Sequence, residues 1–470
     1  MRIPQKIALK LRKIRFEMLP PPHKVKIDKK AETSYADLKR RIVGLAQRHL
    51  NAVEWIYRHE LLHLDRYPRT FAKELYWSAK IYNRLHPNIR DFFKRRRSDV
   101  MNMAEDAVID YRIGREYRDA LNQIEKYLKG LNDEVLSDPP PHEMARLIVA
   151  RRINDRLFER LLEEEDIVQL GVLAAEWLYR HRQNHPSRDV CGKPTREDYE
   201  EAAGELIAEG EDIEPIDEFA RENGVNWRFD RAALIALVKS YDWYLSASKA
   251  LEIHKGSRAR QTVWNPGDDV QKLDVNGSLT VFPKVIPGLT AVKREPRNVE
   301  GYEVPTGFKD IAILVDESGS MRDAGKTRAV RKVGVSLLAY MNRRRIQFMI
   351  VGFGQYATVR VPLGFNYIEG VRYFALKYRG WQETTEIAPA LPLLNGRRLL
   401  VYVISDAEIF DLHKVQLREN IISEVVLVLI NYTKDCGEFV KAFGKVPVRG
   451  YWVNPSKVDS FIVQELGRLS

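Results

Sequence analysis

Asp310-Ile311-Ala312-Ile313-Leu314-Val315-Asp316-Glu317-Ser318-Gly319-Ser320 is the stretch on which the fold turns. The apolar run 311–315 is too short for an ordinary helix and too uniformly apolar for a half-solvated strand. It therefore reads as a strand buried on both faces. The run stops on an acid, and small polar residues follow. Outward from it, apolar runs alternate with helical periods. Strands are predicted over 311–315, 346–353, 399–404, 425–430 and 448–453, with 358–362 as an edge strand. Helices are predicted over 327–342, 387–394, 412–421, 436–443 and 455–469. This alternation predicts an α/β doubly wound (Rossmann-like) domain with a mostly parallel sheet, whose ligand site lies at the carboxyl ends of the strands.

Asp316, Ser318 and Ser320 set a carboxylate and two hydroxyls at alternating positions of one loop. Such oxygens suit a hard cation, since Mg²⁺ prefers oxygen ligands and keeps several waters. Loops after strands also carry Asp, Ser and Gly for turn reasons alone, so this signal needs company. Two segments supply it: Thr384-Thr385-Glu386-Ile387-Ala388-Pro389-Ala390-Leu391, and Ile404-Ser405-Asp406 at a strand end. The three motifs, in this order, resemble the metal-ion-dependent adhesion site of von Willebrand factor A-type domains, over residues 309–470. Counting back from Ala390-Leu391 makes Thr385, not Thr384, the matching threonine. The resemblance implies that Asp316, Ser318, Ser320, Thr385 and Asp406 hold Mg²⁺ or Mn²⁺ and that a protein partner's carboxylate completes the metal shell. It implies binding, not catalysis. One departure is visible: Trp381-Gln382-Glu383 replaces the family's usual glycine pair, which predicts a bulkier or more acidic threonine loop.

A second metal motif, His59-Glu60-Leu61-Leu62-His63, falls on a segment whose apolar residues Leu38, Ile42, Leu45, Val53, Ile56 and Leu61 recur at helical spacing. That spacing predicts a helix over 33–66, with Ser34 and Asp37 at its cap and Pro68 at its stop. Residues four apart share a helix face, so both imidazoles can bind one zinc ion. Glu60 can reach a metal-bound water as general base. A third ligand is needed. Asn102, Asp106 and Asp110 recur every four residues, which makes Asp106 the candidate ligand and Asp110 and Asn102 its supports. Glu105 is the rival, but it shares a face with apolar Met101 and Ile109.

This pairing resembles predicted bacterial and archaeal metallopeptidase-like domains that precede a von Willebrand A-like domain in one polypeptide. Asn102, Ala104 and Asp106 match their Asn-x-Ala-x-Asp motif, and Asp110 stands where they often carry Asn. The resemblance implies an α-helical, zincin-like domain, and relatives of this layout often work beside a MoxR-type AAA+ ATPase. The chain has no phosphate-binding loop of its own, since Gly325-Lys326-Thr327 lacks the upstream glycine spacing. The leading reading is thus a metal-dependent protein-binding adaptor carrying a zinc site. A zinc metallopeptidase targeted by its binding domain is the alternative. Helical bundles also bury histidines without any metal, and a metal can serve structure alone.

With 470 residues, the chain is long enough for two or three domains. The boundaries read as a basic, proline-interrupted arm over 1–32, a helical domain over 33–255, a Gly/Pro-rich connector over 256–308, and the α/β domain over 309–470. Further helical periods cover 70–85, 99–127, 141–185, 195–210 and 230–251. Two cysteines, Cys191 and Cys436, exclude a disulfide framework or a thiolate zinc cluster. No apolar run approaches the roughly 20 residues that span a bilayer, and Lys10, Arg12 and Lys13 interrupt any signal core, so a cytoplasmic protein is expected. The net charge of +11 keeps a nucleic-acid-associated protein as a third reading. Against it, the clusters Lys94-Arg95-Arg96-Arg97 and Arg343-Arg344-Arg345 read as solvated helix ends.

Overall fold

A computed structural model describes residues 3–18, 20, 22–37, 40–67, 70–131, 133–182, 194–255, 260–263, 292–295, 309–417, 420–431, 441–443 and 446–469. The chain divides into two units, Met1–Leu206 with Ile213–Phe229, and Ile207–Asp212 with Asp230–Ser470.

The first unit begins with α1 (Gln5–Met18), β1 (Lys24–Asp28), β2 (Tyr35–Asp37), β3 (Ile42–Ala46) and α2 (Val53–Asp65). The helix expected over 33–66 is therefore two strands followed by a helix. β3 lies between β1, to which it is parallel, and β2, to which it is antiparallel. Leu38, Ile42 and Leu45 happen to fit a helical period, but Ile42-Val43 is a β-branched pair and Gly44 disfavours a helix by about 1 kcal/mol relative to alanine. Tyr35 pairs with Gly44 across the ladder, and its ring fills the space that a Cβ would take. Ser34 caps no helix: its hydroxyl accepts from Ala46 N at 3.0 Å. Leu11 and Ile14 of α1 are buried with Val43, Leu45, Val53, Tyr57, Leu61 and Leu64, which anchors α2.

Helices α3 (Phe71–Arg84), α4 (Pro87–Glu116), α5 (Arg118–Leu128), α6 (Asp133–Ser137), α7 (Pro141–Val149), α8 (Arg156–Glu163), α9 (Ile167–Arg180), α10 (Arg196–Ala208) and α11 (Glu214–Glu222) follow. α4 starts earlier than its apolar period suggests because Pro87 sits in its first turn, where a missing N–H costs nothing. It bends at Arg96, which has non-helical φ/ψ. Arg96 and Arg97 are buried there, paired with Asp99 and Glu74, so this cluster is not the solvated helix end expected of it. Arg343, Arg344 and Arg345, by contrast, are exposed.

The second unit contains α12 (Phe229–Lys255), an antiparallel pair β4 (Arg260–Val263) and β5 (Val292–Glu295), then β6 (Asp310–Asp316), α13 (Ala324–Arg344), β7 (Gln347–Phe353), β8 (Thr358–Gly364), α14 (Tyr367–Arg372), β9 (Leu399–Ser405), β10 (Ile422–Ile430), β11 (Val448–Val453) and α15 (Val458–Leu469). The rest of the connector lies outside the described residues. Six strands form a sheet of order β11-β10-β9-β6-β7-β8, parallel throughout except for the edge strand β8. β6 and β9 are buried at every residue, as their unbroken apolar runs require. Ala312, Leu314, Val401 and Val403 join one core face, and Tyr402 on the other face bonds to Glu465 of α15.

Two helical expectations fail in this unit. Residues 387–394 contain a 3₁₀ helix, Ala388–Leu393, because Pro389 and Pro392 cannot donate to an α-helical ladder. Residues 412–421 hold only the turn Leu412–Lys414, and Leu412, Val415, Leu417 and Ile421 pack as an irregular cover on the sheet core. Most of the 436–443 expectation lies outside the described residues. Among the described residues, no helix is long and apolar enough to cross a membrane.

Candidate metal centres

In the second unit the strand order reverses between β6 and β9. Their neighbouring carboxyl ends place Asp316 beside Ser405 and Asp406, at the kind of switch point where such sheets bind ligands. Asp316 is fully buried. Its Oδ1 accepts from Ser318 N at 2.9 Å and its Oδ2 from the Ser405 hydroxyl at 2.6 Å. Burial pushes its carboxyl up to about 6 in spite of those bonds, and Asp406 adds to the rise. Ser318 Oγ and Ser320 Oγ stand 3.0 Å apart. Ser318, Ser320 and Thr385 line one hollow of about 420 Å³, together with Trp381, Glu408 and Phe410. Thr384 turns away, and its buried hydroxyl has no hydrogen-bond partner among the described residues. Two carboxylates, Asp316 held by neutral donors and Asp406 by the Lys326 ammonium, beside the hydroxyls of Ser318, Ser320 and Thr385, fit a hard divalent ion.

The threonine loop is fixed to the aspartate loop. Trp381 N and Gln382 N donate to Glu317 O at 2.8 and 2.9 Å, and Gly319 N donates to Gln382 O at 2.7 Å. The bulk at 381–383 is accommodated by burying one residue of the three. Gln382 is 2% exposed, its Oε1 accepts from Tyr356 N at 2.7 Å, and its Nε2 donates to Glu317 at 3.0 Å. Gly354 makes the room, since a Cβ there would stand 2.8 Å from the Gln382 side chain. Glu317 in turn accepts from Nε and Nη2 of Arg360 and from the Tyr373 hydroxyl. Asp411 accepts from Ile387 N and Ala388 N, each at 2.8 Å, and so ties the far side of the loop down.

In the first unit, α2 and α4 bring His59, His63 and Asp106 together. His59 Nε2 and His63 Nε2 lie 3.1 and 3.2 Å from Asp106 Oδ1 and 3.3 Å from each other. Ligands on a tetrahedral zinc with bonds near 2.0–2.1 Å are separated by about 3.3 Å, so this triangle has the size of one face of such a site. The other nitrogens are engaged. His59 Nδ1 meets Asp110 at 2.8 Å, while His63 Nδ1 meets Tyr67 O at 2.6 Å and Glu105 at 3.3 Å. Trp55 Nε1 and Arg146 Nε, each at 2.6 Å, hold Asp110. Glu105 thus stands behind His63, whereas Asp106 faces both imidazoles. Asn102 is exposed and outside this network. Glu60 is buried beside the cluster.

Electrostatics match that arrangement. Burial opposes charge on His59, but Asp110 and Asp106 outweigh it and raise the imidazole to about 10. Burial likewise opposes charge on Asp110, and Arg146 and His59 hold it down at about 2. Burial pushes Glu105 up to about 7 and Glu60 above its usual range. The carboxylates favour positive charge on both imidazoles, and the same donor set suits zinc, which would take the place of protons on these nitrogens.

Several participants escaped the sequence reading. Trp55, Arg146 and Tyr67 support the histidines from distant positions or through the backbone, which no local spacing encodes. Ser405 lay within a motif already singled out. Lys326 stands out in the sequence only within an incomplete phosphate loop, yet its Nζ reaches Asp406 Oδ2 at 2.8 Å and Ser320 O at 3.1 Å.

No protein-family model matches the sequence, and no curated protein does. Among solved structures, the chain is similar to the conserved hypothetical protein BatB from Bacteroides thetaiotaomicron, at 16% identity over 35% of this chain and 98% of that one, with a TM-score of 0.24. It is similar to a von Willebrand factor type A protein from Catenulispora acidiphila at 12% identity, over 35% of this chain and 43% of that one, with a TM-score of 0.27. An aerotolerance-related membrane protein from Bacteroides fragilis shares 14% identity over 34% of this chain and 100% of that one, with a TM-score of 0.25.

Proposed function

We propose that the second unit is a von Willebrand A-type module that binds a protein partner through Mg²⁺ or Mn²⁺, and that the first is a zincin-like domain whose His59, His63 and Asp106 hold zinc. The observation that carries the reading is the meeting of Asp316, Ser318, Ser320, Thr385 and Asp406 around the end of β6. In this reading the ion supplies an electrophilic point at the sheet's carboxyl edge. Asp316 and Asp406 lend it negative charge, the three hydroxyls add neutral oxygens, and one position is left for a carboxylate from the partner. The rim suits a protein surface, since Trp381 and Phe410 are 52% and 71% exposed around the same hollow. Aromatic rings in such places are common anchors of interfaces.

The partner we propose is a MoxR-type AAA+ ATPase, which would make this chain an adaptor to a motor. The test is capture of a purified MoxR-type ATPase in Mg²⁺ by the wild type and by Asp316→Ala. Capture is expected to fall about tenfold or more in the variant, within the usual span for coupled sites, and on chelation of the wild type. Capture unchanged in both would overturn the reading. A second reading, a zinc metallopeptidase, is favoured by the buried Glu60 beside the histidines, where it can serve a metal-bound water as base.

A further inference from the structure

The metal cluster of the second unit already contains a cation of the protein's own. Lys326 lies in the first turn of α13, whose start is fixed by Asp323 accepting from Gly325 N and Lys326 N at 2.9 and 3.1 Å. From there its side chain, only 17% exposed, runs to Asp406, which is 4% exposed, and to the backbone of Ser320. One of the two carboxylates in the proposed shell is thus neutralised by an ammonium that also touches the second serine of the loop.

We infer that Lys326 couples metal binding to ligand binding, so that the ion is held weakly alone and firmly only together with an anionic ligand. The inference rests on the divalent-ion reading above. An ion taking Asp406 as a ligand either shares that carboxylate with the ammonium or displaces it. In both cases it meets a like charge at short range in a largely buried place, where charges are poorly screened. Counted over the proposed ligands and Lys326, Asp316 and Asp406 no longer balance a divalent ion and one positive charge is left over; Arg322, Glu383 and Glu408, which line the same hollow, are not ligands in this reading. A carboxylate at the open position cancels that excess. The ion and the acid therefore raise each other's affinity, by the same factor in each direction. Such a site stays largely empty until the partner's acid arrives, and an ion alone does not commit it.

The test is Mn²⁺ titration of the full-length protein by calorimetry, with and without acetate as the probe anion. Asp316→Ala defines the background from other sites. Wild type is expected to bind Mn²⁺ weakly and to gain affinity with acetate. Lys326→Met keeps the aliphatic stem and removes the charge. It is expected to bind Mn²⁺ about tenfold or more tightly without acetate and to lose most of the acetate effect. Lys326→Arg keeps the charge and is expected to behave as wild type, and thermal melting checks that each variant is folded. Equal or weaker Mn²⁺ binding by folded Lys326→Met overturns the coupling, as does Lys326→Arg matching Lys326→Met. If Asp316→Ala binds Mn²⁺ as wild type does, the metal reading itself fails and the coupling falls with it, a result distinct from the other two.

Discussion

His63 shows how a neighbour in sequence differs from a neighbour in chemistry. Glu105 and Asp106 both reach its ring, but Glu105 meets Nδ1 and Asp106 meets Nε2, the nitrogen that also faces His59. The four-residue period of Asn102, Asp106 and Asp110 is enough to single out Asp106 over Glu105 in the sequence, because helix geometry fixes which acids share a face. The same period also included Asn102, which lies outside the network, because a shared face does not specify depth. Trp55 and Arg146 were illegible for another reason: nothing local marks a side chain that closes on an acid from 36 or 55 residues away. At this scale, Asp106→Ala is expected to lower zinc content at least about tenfold, the smaller end of losses at metal sites. Glu60→Gln should retain the metal and, for a peptidase, lose turnover. Atomic-emission analysis of the purified proteins reads the first, and equal zinc in wild type, His63→Ala and Asp106→Ala would reduce the motif to coincidence.

Elements were legible where burial left only one interpretation. β6, β9 and β10 are continuous apolar runs, and only a strand covered on both faces uses such a run at that length. The 35–46 segment misled because three apolar residues matched a helical spacing while β-branching and Gly44 favoured a strand. The 412–421 cover misled because its apolar residues face the core without regular structure. α15 carries a feature that no periodicity announces: Glu465 is fully buried, accepting from Tyr402 at 2.7 Å, Tyr451 at 2.8 Å and Nε and Nη2 of Arg468. Burial alone would raise its carboxyl, but Arg468 and the two tyrosines outweigh burial and hold it below 4.5. A depressed carboxyl stabilises the fold above its ordinary value, and that stability is lost as pH falls through the lowered one. Glu465→Gln leaves Arg468 with the more distant Glu424, 3.8 Å away, and is expected to cost about 3 kcal/mol near neutral pH. Urea melts at several pH values read it, and the gap to wild type should narrow below pH 4.5. A gap that stays constant with pH would mean that the charge is not what stabilises α15.

For the molecule as a whole, two units each assemble a cluster suited to a different ion. Nitrogen and carboxylate ligands between helices suit zinc, and oxygen ligands at a sheet's edge suit Mg²⁺ or Mn²⁺. Net charge is a poor guide to function here. Arg96 and Arg97 contribute to the total of +11 yet are spent on internal pairs, which weakens the case for a nucleic-acid surface. In the function we propose, the cluster at the end of β6 holds a divalent ion with a position open to a partner's acid. The most direct measurement is anomalous diffraction from crystals grown with Mn²⁺ and acetate. The expected result is a peak bounded by Asp316, Ser318, Ser320, Thr385 and Asp406, with acetate on its open side. A peak absent from that cluster while Mn²⁺ occupies other sites would contradict it.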